Sequence, residues 1–320
     1  MRIAIVGMGV IGSVHAHILL EQNRNLIAVC DCDAEKLKNY PQIAGYTDYE
    51  TMLREAKPDV VHICTPHHLH ADMTIAALNA GINVLCEKPL CISREDISRV
   101  LEAEARSCAQ LGVCFQNRYR PANDYVKKYL QDKQVESVWA NLTWKRDESY
   151  YRSAAWRGKK ETEGGGVLIN QAIHTLDLIE WLTGMPESIT AHTKNVSLQG
   201  VIDVEDTAFV QGYGKIPFTF FATNAHFCEL PIEIQIQTTD ERIRLVGNCV
   251  EIGDQRKDFS CDRTYYGKPC YGVGHSPLFY DYYDCIQSGK KFPLNGEEGM
   301  KAVKTVLAAY ESNGEKIGIK

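Results

Sequence analysis

Short apolar runs alternate with segments of helical period between residue 2 and about residue 120. The predicted strands are the runs 2–6, 26–30, 60–64, 83–87 and 112–116, rich in Val, Ile and Cys. Amphipathic segments follow four of them and predict helices up to about residue 21 and over 33–40, 68–81 and 93–107. Alternation of this kind is typical of βαβ units, whose sheet is covered on both faces. It predicts an α/β domain with a doubly wound parallel sheet over 1–120.

The pattern changes after Pro121. A helix over 122–132 is followed by strands of alternating or aromatic character, predicted over 137–144, 188–196, 206–213, 218–227, 232–238 and 242–247. Two helices close the chain, around 276–288 and 297–312. No internal repeat or low-complexity linker is present. These features predict an α+β domain over 121–320 with a large open, mostly antiparallel sheet.

The segment GGGVLINQAIHTLDLIEWLTG, residues 164–184, is apolar over most of a helical circumference but carries a polar stripe. At 100° per residue, Asn170, His174 and Asp177 fall within about 60° of one another, together with Trp181. A mostly apolar helix is covered on most sides, so the stripe faces either a strip of water or an internal cleft.

Composition narrows the possible ligands. The 320 residues suffice for two domains, and a net charge of −6 without a dense Lys/Arg run gives no support for nucleic-acid or membrane binding. The N-terminus lacks a signal-peptide pattern, and no run of 18 apolar residues occurs. The twelve cysteines include no C-x-x-C pair, which predicts mostly reduced thiols and cytoplasmic residence. The redox state of Cys261 and Cys270, on either side of a polar loop, stays open.

A glycine motif predicts dinucleotide binding. GMGVIG, residues 7–12, lies between the first strand and a helix, the context that G-x-G-x-x-G requires. Gly7 allows the tight turn, Gly9 admits a pyrophosphate and Gly12 allows close packing, while the helix N-terminus, with Val10 and Ile11, supplies unpaired N–H groups.

Asp31 strengthens this prediction and indicates which dinucleotide binds. It ends the second strand, 24 residues after Gly7, where a carboxylate accepts hydrogen bonds from ribose hydroxyls. The alternative, an N-cap role in the next helix, suits Asp33 better. A carboxylate repels a 2′-phosphate and no Arg follows closely, so NAD is favoured over NADP.

Three further stretches establish a resemblance. They are CTPHHLHADMTIAALNAG at 64–81, CEKPL at 86–90 and EGGGVLINQAIHTLDL at 163–178. With the glycine turn, and in this order, they make the chain similar to the Gfo/Idh/MocA oxidoreductase family along nearly its whole length. The resemblance implies a Rossmann domain followed by a domain whose open sheet often joins subunits, in a homodimer or homotetramer.

The resemblance also implies two catalytic positions, Lys88 beside the nicotinamide and His174 facing it across a cleft. Oxidising a secondary alcohol removes a hydride, which NAD accepts, and a proton, which requires a protein base. His174 suits that proton transfer near neutral pH, and the Lys88 ammonium can stabilise the alkoxide-like oxygen. The reverse division of roles stays open.

Other site residues follow from the same motifs. Besides the glycine turn and Asp31, the expected cofactor contacts are Thr65, Pro66, His70, Glu87 and Lys88, with a structural role for His70. The expected substrate contacts are Arg118, Tyr119, Trp156, Arg157, Asn170 and Asp177, while His275 and Tyr280 are weaker candidates. Aromatic and charged groups of this kind suit a polyhydroxylated ring. No metal site is expected, because the histidines lack partners at ligand spacing.

Residue 170 departs from the family pattern. Many relatives have an Asp four residues before the helix histidine, whereas this chain has Asn170. We therefore expect His174 to work without a carboxylate partner at that position.

The sequence thus predicts an NAD-dependent dehydrogenase that acts on a secondary hydroxyl or ketone of a sugar, glycoside or cyclitol. Two alternatives remain. One is an enzyme that retains NAD and oxidises a sugar transiently to assist elimination or glycoside cleavage, and the other is a non-catalytic NAD-dependent sensor.

Overall fold

The computed structural model describes residues 1–260, 267 and 272–320. Cys261 and Cys270 lie outside the described residues. The chain forms two compact units, the first from the described residues of Met1–Gln116 and Arg263–Met300, the second from those of Asn117–Asp262 and Lys301–Lys320. Among the described residues, no helix is both long and apolar enough to cross a bilayer.

The first unit contains the predicted parallel sheet. Its strand order is β3-β2-β1-β4-β5-β6, and every neighbouring pair is parallel. Strands β1, β4 and β5 and the edge strand β6 are buried almost throughout because helices cover both faces. The strands are β1 (Arg2–Val6), β2 (Asn25–Cys30), β3 (Ala44–Tyr46), β4 (Val60–Ile63), β5 (Asn83–Glu87) and β6 (Leu111–Cys114).

Five helices lie between these strands: α1 (Val10–Glu21), α2 (Ala34–Leu37), α3 (Tyr49–Ala56), α4 (His70–Asn79) and α5 (Arg94–Arg106). Strand β3 and helix α3 were not predicted. The exposed strand Ala44–Tyr46 is only three residues long and carries no apolar run.

One helix departs from the predicted division into 1–120 and 121–320. Helix α10 (His275–Ser288) packs within the first unit, where Tyr282 is fully buried. Its hydroxyl donates to the carbonyl oxygen of Val84 at 2.8 Å, and its ring fits against Gly112, where a Cβ would lie 2.8 Å from a ring carbon. Sequence order could not reveal this return, because α10 joins the sheet through contacts almost 200 residues apart.

The second unit contains a nine-stranded sheet of order β14-β13-β12-β11-β7-β10-β9-β8-β15. Among the strand pairs that the described residues form in this sheet, only β7–β10 is parallel, which confirms the mostly antiparallel sheet. The strands are β7 (Val135–Thr143), β8 (Ser188–Lys194), β9 (Thr207–Tyr213), β10 (Phe218–Thr223), β11 (Glu233–Thr238), β12 (Arg242–Val246), β13 (Cys249–Ile252), β14 (Gln255–Asp258) and β15 (Ile317–Gly318). The last three were not predicted, being short or, in β14, wholly exposed.

The helices of this unit include the candidate helix α9 (Ile173–Thr183) and, before it, α6 (Pro121–Tyr129), α7 (Glu148–Arg152) and α8 (Lys160–Glu163). Helix α11 (Gly296–Ser312) crosses the division between the units after Met300. Central strands alternate buried and more exposed residues, so one sheet face lies against the core and the other stays open.

Candidate active site

The glycine turn has the geometry of a dinucleotide site. Gly7 has φ +87°, and a Cβ there would lie 2.5 Å from the Cys64 carbonyl oxygen. At Gly12 a Cβ would lie 1.9 Å from the Gly7 carbonyl oxygen. At Gly9 a Cβ would meet nothing within 4 Å, and no side chain caps helix α1. The open space beside Gly9 and the uncapped N–H groups of the Val10 turn fit a pyrophosphate.

Asp31 lies beside this turn. Its carboxylate accepts from the backbone N–H of Met8 at 2.7 Å and of Asp33 at 2.9 Å, and the Lys36 ammonium lies 3.1 Å from both oxygens. Burial would raise the pKa of Asp31, but these bonds lower it, so the group is ionised at neutral pH. Asp33 accepts from the N–H of Glu35 and caps α2, as the sequence predicted.

The loops after β4 and β5 are joined by His70. Its Nδ1 lies 2.7 Å from the Pro89 carbonyl oxygen and its Nε2 lies 2.8 Å from that of Thr65. The Lys88–Pro89 peptide is cis, and Thr65, Pro66 and Lys88 are half-buried. His70 is buried, and its two contacts link the loop after β4 to the loop after β5.

Glu87 belongs to a buried network that the sequence analysis missed. Its Oε1 accepts from His15 Nε2 at 3.1 Å and lies 3.5 Å from His275 Nε2, while its Oε2 accepts from the Lys88 N–H at 3.3 Å. His15 contacts His62 at 2.9 Å between their Nδ1 atoms. Burial would raise the pKa of Glu87, but the bonds from His15 and His275 hold it well below its usual range. An ionised carboxylate therefore adjoins the candidate catalytic lysine.

The ligand atoms of His15, Glu87 and His275 lie within 4.8 Å of one another, close enough to hold a metal ion. The sequence expects no metal, because no carboxylate or Cys follows the clustered histidines at ligand spacing. The hydrogen bond from the His15 imidazole to the Glu87 carboxylate, with His275 Nε2 3.5 Å from the same oxygen, accounts for their proximity.

In the second unit, the last of the three glycines before the candidate helix, Gly166, packs closely against Glu205. A Cβ at Gly166 would lie 1.7 Å from the Glu205 carbonyl oxygen, and the Glu205 carboxylate accepts from the N–H groups of Gly166 and Leu168 at 2.9 and 3.0 Å. This distant carboxylate thereby satisfies donors at the start of the helical segment.

Residues Leu168–Ala172 form a π-helix that leads into α9. Because its hydrogen bonds span five residues, the 100° progression predicted for a continuous α-helix does not hold across Asn170. The predicted apolar residues around the stripe, such as Ile169, Ile173 and Leu176, are fully buried. His174 is half-buried on α9, whereas Asn170 and Asp177 are buried.

Asn170 does have a carboxylate partner, Glu163. The Asn170 side-chain nitrogen donates to Glu163 Oε1 and lies 3.5 Å from the Tyr150 hydroxyl. Arg157 donates to the same hydroxyl and covers the rings of Tyr150 and Trp156 at 4.5 and 4.6 Å. Asn170, Trp156 and Arg157 thus belong to one cluster of side chains around Tyr150.

Arg118 and Asp177 instead meet each other. The Arg118 Nε and Nη2 atoms donate to the two Asp177 oxygens at 2.9 and 2.6 Å, in a pair whose side chains are 7% and 1% exposed. This buried bidentate pair ties the segment before α6 to α9. Tyr119 is half-buried next to Arg118, while Tyr280 is half exposed on α10.

Comparison with known proteins identifies both halves of the chain. Residues 1–115 match the oxidoreductase family model with an NAD-binding Rossmann fold, and residues 133–238 match the GFO/IDH/MocA C-terminal domain. The WlbA dehydrogenase of Chromobacterium violaceum, solved with NADH and UDP-GlcNAcA, is 30% identical with a TM-score of 0.88, over 100% of this chain and 96% of that one.

Curated relatives are similar over shorter stretches. The D-glucoside 3-dehydrogenase of Escherichia coli K12 is 30% identical over 203 residues, 60% of this chain and 57% of that protein. The 2,7-anhydro-N-acetylneuraminate hydratase of Mediterraneibacter gnavus is 30% identical over 221 residues, 65% and 56%. The chain therefore spans about half the length of these relatives.

Proposed function

Because this chain belongs to the GFO/IDH/MocA family of NAD-binding oxidoreductases, we propose that it transfers a hydride between NAD and a secondary hydroxyl or ketone of a sugar, glycoside or cyclitol. The observation that carries the proposal is the glycine turn, where the space beside Gly9 is open and the ionised Asp31 lies next to it. When bound, NAD supplies the hydride acceptor, and the chain supplies the groups that hold the substrate and move its proton.

Two side chains carry the proton chemistry in this proposal. His174 accepts the hydroxyl proton during oxidation, since imidazole exchanges protons near neutral pH. Lys88 donates a hydrogen bond to the substrate oxygen as negative charge develops there. The Lys88 backbone N–H donates to the Glu87 carboxylate, and the Pro89 carbonyl oxygen contacts His70 Nδ1. These two contacts fix the backbone on both sides of the lysine side chain.

The substrate contacts we propose fall into two groups. Asn170, Trp156, Arg157 and Tyr119 offer an amide, ring faces and a guanidinium to a polyhydroxylated ring. Arg118 and Asp177 already satisfy each other, so we assign them first to anchoring α9 and only through it to the substrate.

The test is a screen of sugars, glycosides and inositols with NAD, followed by absorbance at the NADH band. We expect NADH from at least one compound and far less from Lys88→Ala. The similarity to the 2,7-anhydro-N-acetylneuraminate hydratase supports the alternative in which the enzyme retains NAD. Elimination or cleavage of a glycoside or anhydrosugar without net NADH would replace the first proposal by that one, and NAD binding without either reaction would favour the sensor.

We propose further that the open face of the second unit's sheet joins two copies of the chain. Trp139 and Phe209 are 41% and 58% exposed there, and Phe209 contacts the half-buried Phe221 at 4.8 Å between ring centroids. Adjacent exposed aromatic residues on a sheet face are typical of subunit interfaces. Cytoplasmic residence, which we also propose, is supported by the ten described cysteines, all free thiols.

A further inference from the structure

Lys36 contacts the carboxylate to which we assign the ribose of the cofactor. Its ammonium lies 3.1 Å from both Oδ1 and Oδ2 of Asp31. Lys36 belongs to the short helix α2, which begins directly after this turn with Asp33 as its cap. The lysine side chain is 41% exposed and the Asp31 side chain only 6%. A partly solvated cation therefore covers an almost buried carboxylate.

The acceptor sites of the Asp31 carboxylate are all in use. Oδ2 accepts from the Met8 N–H at 2.7 Å, and Oδ1 accepts from the Asp33 N–H at 2.9 Å. The Lys36 ammonium contacts each oxygen once more, and the Cys32 thiol is a longer contact, 3.8 Å from Oδ1. A carboxylate offers about four acceptor sites, so two further donors have to replace donors that are already there.

The lysine is the donor that is easiest to displace. The N–H groups of Met8 and Asp33 belong to the backbone, one in the glycine turn and the other at the cap of α2. The Lys36 ammonium ends a flexible four-carbon stem, and water solvates such a group strongly once it has moved. It is therefore the group that two ribose hydroxyls would replace.

We propose that Lys36 is a specificity-determining residue that reduces the preference for NAD created by Asp31, without reversing it. The proposal rests on the proposed function, in which Asp31 receives the ribose. In the free protein the ammonium competes with the ribose hydroxyls, so NAD has to break an ion pair in order to bind. Once displaced, the ammonium stays beside the 2′ oxygen, where it pairs with the 2′-phosphate of NADP.

Lys36→Met tests this directly, because Met keeps most of the apolar stem and removes the charge. Titration calorimetry should show NAD binding about fivefold more tightly, the scale of a partly exposed ion pair. NADP gains the same relief but loses the partner of its phosphate, so the ratio of NADP to NAD affinity should fall about tenfold, the scale of a charged hydrogen bond. Lys38→Met removes the same charge from an exposed lysine that pairs with Glu35, and should bind both cofactors as the parent does.

The same substitution in an Asp31→Ala background separates the two roles of Lys36. Without the carboxylate there is no competition, so adding Lys36→Met should leave the affinity for NAD at the value of Asp31→Ala alone. The affinity for NADP should still fall about tenfold, because the phosphate loses its charged partner. The difference between the two backgrounds measures the competition for Asp31 by itself.

Unchanged or weaker NAD binding by Lys36→Met would overturn the proposal, because the lysine would then hold the ribose or leave it unaffected. So would a gain in NAD affinity that persists in the Asp31→Ala background, or a ratio of NADP to NAD affinity that Lys36→Met leaves unchanged. None of these measurements requires turnover. If NAD binds but no compound in the screen forms NADH, the proposed dehydrogenase activity fails by itself, and the affinities still decide the role of Lys36.

Discussion

At the scale of single residues, Lys88 and His174 are the groups whose loss should affect chemistry more than cofactor binding. We expect Lys88→Ala and His174→Ala each to lower turnover by roughly 100-fold or more, the scale of lost acid–base or electrostatic assistance. NAD affinity, measured by fluorescence titration, should stay near the parent value. Lys38→Ala, exposed on the surface, serves as the control. Parent-like turnover in both site variants would contradict the assignment of these residues.

Asp31 should govern the choice between NAD and NADP. We expect the parent to bind NAD better, because the ionised carboxylate receives ribose hydroxyls and repels a 2′-phosphate. In the parent, the Lys36 ammonium lies 3.1 Å from both Asp31 oxygens. In Asp31→Ala it loses this carboxylate partner and becomes available to a phosphate. The ratio of NADP to NAD affinity should then rise about tenfold or more, the scale of a charged hydrogen bond.

Fluorescence titration of both cofactors gives that ratio. Asp33→Ala is the matched control, since Asp33 caps α2 through its side chain but offers Asp31 only its backbone N–H. Equal or better binding of NADP by the parent would contradict the assignment of Asp31.

At the scale of elements, the glycine turn at the start of α1 meets two different requirements: space for the cofactor at Gly9 and close backbone packing at Gly12. Gly9→Ala places a methyl group in open space at an ordinary φ, so thermal unfolding without cofactor should match the parent. NAD affinity should nevertheless fall by about tenfold or more, because that space is where a pyrophosphate approaches the backbone.

Gly12→Ala is the matched comparison within the same turn. Its Cβ would lie 1.9 Å from the Gly7 carbonyl oxygen, so we expect a loss of about 1–3 kcal/mol in the free energy of unfolding, the usual cost of overpacking. Parent-like NAD binding by Gly9→Ala would mean that the cofactor does not approach this turn.

Elements whose signal is local could be predicted from the sequence. The strands Arg2–Val6 and Glu233–Thr238 have apolar runs or alternation that depend only on near neighbours. The exposed strand Gln255–Asp258 has no such signal and exists because β13 pairs with it. Pairing partners of this kind are not encoded in the periodicity of the strand itself.

Residues of the candidate site could be predicted where they belong to a local sequence motif. They could not be predicted where they come from distant parts of the chain. The glycine turn and the position of Asp33 as a cap followed from spacing. The contact between Glu163 and Asn170 could not be predicted from spacing, because three glycines separate Glu163 from the helical segment of Asn170 and break any helical register. His15 and Glu87 meet although 72 residues separate them, through the packing of α1 against the sheet.

At the scale of the whole molecule, the open sheet face should determine the number of subunits. A symmetric interface contains each residue twice, so one substitution places two charges in it. Burying a phenylalanine contributes about 2–3 kcal/mol, and a buried unpaired carboxylate opposes association further. Phe209→Glu should therefore convert the dimer or tetramer that we expect for the parent into a smaller species at micromolar concentration, as measured by light scattering after gel filtration. Phe227→Glu is the control, because Phe227 is 82% exposed but lies outside the strands of the sheet. A monomeric parent, or a Phe209→Glu variant with the mass of the parent, would mean that this face does not join copies of the chain.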